Sequence, residues 1–125
     1  MKTLDQIRAH SALGAKQTVE HALGQPGPGD RLGGFPLRVL QSGLISTLAF
    51  AQERRRNNEG WKHPVEHAVA EAVTAHLRAK GVELTQAQNP GALLSELANA
   101  GDDRKLRQAT VETICFLNYL KRFVA

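Results

Sequence analysis

Between Phe35 and Ala51 the chain reads FPLRVLQSGLISTLAFA, with Arg38 as its single charge, and it then turns abruptly basic at Arg54-Arg55-Arg56. Wound as an α-helix, Leu37, Leu40, Leu44, Leu48 and Ala51 form one apolar stripe. Val39, Gly43, Ser46 and Phe50 form a second line on nearly the opposite side. A helix with solvent on one side shows a single stripe, whereas two predict packing on both. The segment is expected either to be the centre of a small bundle or to keep one face for another subunit, through Val39, Gly43, Ser46 and Phe50. Gly43 costs a helix about 1 kcal/mol relative to alanine. Its expected compensation is close approach by another helix, with Ser46 three residues on.

Flanking segments also carry helical spacing. Thr3-Leu4-Asp5-Gln6 has the form of a capping box, opening a first helix to about Leu23 with Leu4, Ile7, Ser11, Ala15, Thr18 and Ala22 on its inner face. Residues Gly24 to Gly34 hold five glycines and two prolines and predict a flexible loop. Pro36 then suits the first turn of the second helix. Asn57-Asn58-Glu59-Gly60 breaks the chain again. A third helix is predicted from His63-Pro64 to Gly81, with Val65, Ala68, Ala72, His76 and Ala79 inward. Pro90 opens a short fourth containing Leu93, Leu94 and Leu97, stopped by Gly101. Asp102 or Asp103 caps a fifth with the stripe Leu106, Ala109, Thr113, Leu117, Leu120 and Val124. No alternating strand pattern competes, so the fold class is all-α: a single compact bundle of about five helices, one domain over residues 1–125, with no internal repeat.

Composition narrows the classes. A chain of 125 residues supports one core that removes roughly two-thirds of its unfolded-state surface from water. The net charge of +4 admits anionic partners. Aromatics at 5% argue against the base-stacking sheets of RRM and OB folds. The lone cysteine, Cys115, excludes an intramolecular disulfide and suits a reducing cytoplasm. Met1 leads directly into a polar amphipathic stretch, which is not a signal peptide. The Phe35 run is interrupted by Arg38, Gln41, Ser42, Ser46 and Thr47, so a span of about 20 apolar residues is not met and no membrane partner is expected.

Candidate chemistry is sparse. His63-Pro64-Val65-Glu66-His67 has the H-x-x-E-H form of inverted zinc metallopeptidases. Histidines four apart share a helix face, and the glutamate between them can polarise a metal-bound water. No third ligand is distinguished, however, and Pro64 fits a simple helix start, so no catalytic, metal or cofactor site is expected. His76 falls on an apolar stripe and predicts a hydrogen-bonded core histidine. His10 and His21 carry no pattern, and Cys115 has no adjacent base. Trp61, after Gly60, is expected as a lid on the core rather than a base-stacking surface. The glycine-rich loop lacks the Walker lysine and follows no strand.

Arg54-Arg55-Arg56 stands out among the charges. Cations at a helix C-terminus are favourable in themselves, by about 0.3–1 kcal/mol each. Further basic groups occur at Arg104, Lys105, Arg107 and at Lys121-Arg122. If the second and fifth helices pack together, these groups make a basic face for a nucleic-acid backbone.

Phe35-Pro36-Leu37, Gly43-Leu44 and Leu48-Ala49-Phe50, followed by Leu117-Asn118-Tyr119-Leu120-Lys121-Arg122-Phe123, together resemble the small subunit of type III-B (Cmr) CRISPR effector complexes. The resemblance spans most of the chain, although the Gly/Pro-rich loop and the HPVEH helix entry are not part of that pattern. It implies an all-helical, non-catalytic, cytoplasmic protein of antiviral defence that stacks with copies of itself in a short filament. Its partners would be the guide-bearing backbone subunits and the large subunit, together with guide RNA and target RNA. Arg38, Arg54, Arg55, Arg56, Arg107, Lys121 and Arg122 are the candidate contacts to the RNA backbone, touching sugar-phosphate without reading sequence. A helical DNA-binding regulator is the alternative, weakened because no recognition helix pairs a short turn with a face rich in Arg, Asn and Gln. A zinc hydrolase at HPVEH is the third reading.

Overall fold

The computed structural model describes residues 2–23, 32–101 and 103–124, apart from the side chain of Asn58. Six α-helices account for most of these: α1 (Leu4–Leu23), α2 (Phe35–Ser42), α3 (Leu44–Ala51), α4 (Pro64–Arg78), α5 (Pro90–Ala98) and α6 (Arg104–Phe123). No strand occurs among the described residues, only an isolated bridge between Arg54 and Trp61. Most of the Gly/Pro-rich stretch, residues 24–31, and the possible cap Asp102 lie outside the described residues.

Local chemistry sets the helix starts. The Thr3 N–H donates to Gln6 Oε1 at 2.8 Å and the Gln6 N–H donates to Thr3 Oγ1 at 3.2 Å, the reciprocal pair of a capping box. Asn89 Oδ1 accepts from the Ala92 N–H at 2.8 Å, and Pro90 follows it in the first turn of α5. Asp103 precedes α6 without a side-chain cap bond.

The expected continuous helix from Phe35 to Ala51 is two helices. Gly43 sits between them at φ 88° and ψ 164°, a conformation open essentially to glycine alone. A Cβ added there would meet nothing within 4 Å. Gly43 therefore serves the turn of the backbone, and no other helix of this chain packs closely on it. The turn also re-phases the apolar stripes. Before it, Phe35 and Val39 point inward; after it, Leu44, Thr47, Leu48 and Ala51 do. Leu37 and Leu40, drawn on the same stripe as Leu44 and Leu48, stay outside at 55% and 68% exposure.

The centre of the molecule is α4, with eight buried residues from His67 to Leu77. It packs with α1 and α6 on one side and with α3 and α5 on the other, while α2 joins α3 to α6. Buried side chains form one contiguous cluster that includes Phe35, Leu44, Leu48, Val69, Val73, Leu77, Leu93, Phe116 and Leu120. In α1 the buried residues are Ala12 and Val19, whereas Thr18 is exposed, so its inner face is rotated from the expected one.

Thr113, on α6, is fully buried, and its hydroxyl has no hydrogen-bond partner among the described residues. An unmet buried hydroxyl costs about 1–3 kcal/mol. Thr113→Val, which keeps the shape and removes the hydroxyl, is expected to raise the melting temperature by about 4 °C, or roughly 1 kcal/mol. Thermal denaturation followed by circular dichroism measures this; a fall would show that the hydroxyl has a partner in solution.

Candidate nucleic-acid interface

Helix α3 ends at Ala51, so the triple arginine is not a helix C-terminus. It lies in a loop pinned at its base, where the Lys62 N–H donates to the Glu53 carbonyl at 2.8 Å and the Arg55 N–H to the Gly60 carbonyl at 3.0 Å. Arg54 and Trp61 face each other in the bridge. A short 3-10 turn, Arg56–Asn58, forms the tip, with Asn57 in the left-handed region at φ 62°. Asparagine tolerates that region better than most residues.

Two mixed stacks brace this loop against the bundle. The Arg54 guanidinium lies 4.1 Å from the Trp61 ring centroid, and the His67 imidazole is stacked on the same ring at 3.6 Å. The Arg38 guanidinium lies 3.6 Å from the Phe50 centroid, with the His63 ring at 3.7 Å. Groups this close to one ring centre cannot share a face, so each aromatic ring is sandwiched between a guanidinium and an imidazole. Trp61 accordingly has no free face for a base.

The histidines of HPVEH thus belong to these stacks. His67 Nδ1 lies 3.0 Å from Glu71, and His63 Nε2 lies 3.3 Å from Glu53. Burial holds the His67 pKa below the usual imidazole value, against the pull of Glu71 and with Arg54 acting in the same direction as burial. Among the described residues no three His, Cys, Asp or Glu side chains are grouped to hold a metal.

His76 is the hydrogen-bonded core histidine that its stripe predicts. Its Nδ1 lies 2.8 Å from Ser11 Oγ and its Nε2 lies 2.8 Å from Glu112 Oε2, while its ring stacks on Phe116 at 4.5 Å. Arg8 completes the cluster, donating from Nε to Glu112 Oε2 and from Nη2 to Oε1, both at 2.8 Å. Burial lowers the His76 pKa despite the adjacent carboxylate, and the contacts with Arg8 and His76 hold Glu112 below the usual carboxylate value although burial opposes them. The signal for Glu112 is its spacing, because it sits among Ala109, Thr113 and Phe116 on the inward side of α6.

The remaining candidate residues divide by place. Arg38, Arg54, Arg55 and Arg56 are all exposed and gather around the loop and its stacks. Arg55 and Arg56 make no ion pair among the described residues. Arg107 is in the first turn of α6, paired with Asp103 at 3.5 Å, whereas Lys121 and Arg122 are exposed in its last turn. A rise of 1.5 Å per residue separates these two groups by roughly 20 Å. The α2–α6 contact therefore does not merge them all into one patch. Of the four expected interface residues, Val39 is in the core at 3% exposure, Gly43 forms the break, Ser46 is exposed, and Phe50 is half-buried in its stack.

No helix among the described residues is long and apolar enough to cross a membrane. Comparison with curated proteins and with solved structures returns no match. A family model does match, that of the CRISPR-associated protein Cas_Cmr5, over residues 29–125, which takes in α2 to α6 and the whole arginine loop. The chain belongs to this family, the small subunit of type III-B CRISPR complexes.

Proposed function

We propose that the chain is a non-catalytic subunit of a type III-B ribonucleoprotein acting in antiviral defence. In this reading it packs against copies of itself and against the guide-bearing backbone and large subunits, and it touches the guide–target RNA through its basic side chains. The family match carries the reading. Two surface features support it. Leu37 and Leu40 are the large apolar side chains left outside on α2, an arrangement suited to a neighbouring subunit. Arg55 and Arg56 project from a braced loop without a carboxylate partner among the described residues, so their charge is available to phosphate. Lys121 and Arg122 offer a second, separate contact at the far end of α6, and Arg107 a third.

The test uses the assembled complex. Arg55→Ala with Arg56→Ala leaves the Arg54–Trp61 stack in place and removes two cations from the loop tip. Target RNA loading should weaken, and the salt dependence of binding should flatten by about 0.7 for each phosphate that is no longer neutralised. Unchanged affinity and unchanged slope at two salt concentrations would remove the loop from the RNA interface.

A further inference from the structure

Beside the Arg38–Phe50 stack lies a surface cavity of about 480 Å³, lined by Arg38, Ser42, Ser46, Phe50 and Glu53 among others. Its chemistry is unlike that of the arginine loop tip. Glu53 puts a carboxylate into the lining, and a carboxylate repels phosphate. Oε2 of Glu53 already receives His63 at 3.3 Å and Lys62 at 3.6 Å, which leaves Oε1 for another donor. Ser42 and Ser46 add exposed hydroxyls. The Arg38 guanidinium is flat, exposed and backed by Phe50, which is itself backed by His63. Such a plane is a stacking surface for a nucleobase, since unstacked bases lie on guanidinium planes as readily as on aromatic rings. Backing by two further rings holds the plane in place and lowers the ordering cost of binding.

We propose that this cavity is a pocket for one unpaired guanine base of RNA, stacked on the Arg38 guanidinium and donating from its Watson–Crick edge to the Glu53 carboxylate. Guanine is the base whose edge carries two adjacent donors, the ring N1–H and the exocyclic amino group. The serine hydroxyls complete the polar rim. The inference rests on the RNA-contacting reading above and adds to it a contact with a base where that reading has contacts with phosphate. The arginine of the stack and the carboxylate beside it then form one unit: the first supplies the plane, the second the preference.

The experiment titrates the full chain with three labelled 12-nucleotide single strands, read by fluorescence anisotropy. One strand is uridine interrupted by guanosines, the second carries inosine at those positions, and the third carries abasic sites there. Inosine lacks only the exocyclic amino group. The guanosine strand should bind about five-fold more tightly than the inosine strand, as expected for one hydrogen bond to a charged acceptor at a partly exposed site. The abasic strand should bind more weakly still, through loss of stacking. Arg38→Lys keeps the charge and loses the plane, so it should weaken the guanosine and inosine strands alike while leaving the abasic strand unchanged. Glu53→Gln should abolish the guanosine–inosine difference without weakening the abasic strand. Both positions are exposed, and unchanged binding of the abasic strand together with an unchanged circular dichroism spectrum controls for the fold. Equal binding of all three strands by the unmodified chain would overturn the pocket and leave phosphate contact standing. No binding of any strand would overturn both readings.

Discussion

Glu112→Ala is expected to lower stability by about 3 kcal/mol, the cost of removing one partner from a buried charge cluster. For a chain of this size that is a fall in melting temperature of more than about 10 °C. The size follows from what remains. Arg8 would lose both of its bonds to α6 and keep only the exposed contact with Asp5 at 3.3 Å. His76, inside the core, would lose the acceptor on Nε2. Glu112→Gln, which keeps the shape and one acceptor oxygen, should cost about half as much. The same cluster sets a pH dependence. The folded His76 pKa is below the usual imidazole value, so from about pH 6.5 downward the unfolded chain takes up a proton that the folded one refuses. The folded Glu112 pKa is below the usual carboxylate value, so its contribution is present above about pH 4.3 and fades as pH falls through the folded value. Both effects have the same sign, and stability should decline on acidification below about pH 6.5. Denaturant titrations at pH 7.5, 5.5 and 4 check this; a midpoint that rises between pH 7.5 and 5.5 would show that His76 is charged in the fold.

Glycine-to-alanine substitutions at Gly43 and Gly14 should act in opposite directions. At Gly43 the backbone has φ 88° and ψ 164°, where any side chain is strained, although a Cβ would have open space around it. The expected cost is about 1–3 kcal/mol, and it is a cost of conformation rather than of collision. At Gly14, inside α1 and also with open space around a Cβ, alanine should stabilise by about 0.5–1 kcal/mol through reduced freedom of the unfolded chain. Chemical denaturation of the two variants beside the parent measures both. If Gly43→Ala were neutral, a continuous α2–α3 helix would be accessible after all.

Helix-forming segments are legible in the chain because their signals are local. Thr3 and Gln6 close a capping box within four residues, and Asn89-Pro90 starts α5 by the same short-range logic. The buried role of His76 is legible from its place on a stripe. What escapes is whatever depends on a distant partner or on a single backbone angle. Nothing in the spacing of Leu37, Leu40, Leu44 and Leu48 reveals that Gly43 turns the chain, because the apolar period runs unbroken through it. The same hidden turn puts Val39 in the core, although its line on the wheel faces a neighbour. Arg54 to Arg56 read as the end of a helix, since their loop depends on pairing with residues 60–62 across the tip. The two aromatic sandwiches join α2, α3, the loop and α4, and no window of sequence contains all of their members. Glu53 escapes for a related reason: its carboxylate draws notice only once its partners Lys62 and His63 are in view.

The Arg8–Glu112–His76–Ser11 cluster has a consequence for where this protein can be cut. The family match begins at residue 29, after the end of α1. A chain trimmed to that segment would keep the His76–Glu112 pair and lose Arg8 and Ser11, leaving a water-facing carboxylate without its guanidinium beside an imidazole bonded on one nitrogen only. It would also bare the sides of α4 and α6 on which α1 rests. The matched segment leaves out a helix on which α4 and α6 rest, and α1 is expected to be needed in any fragment meant to stand on its own.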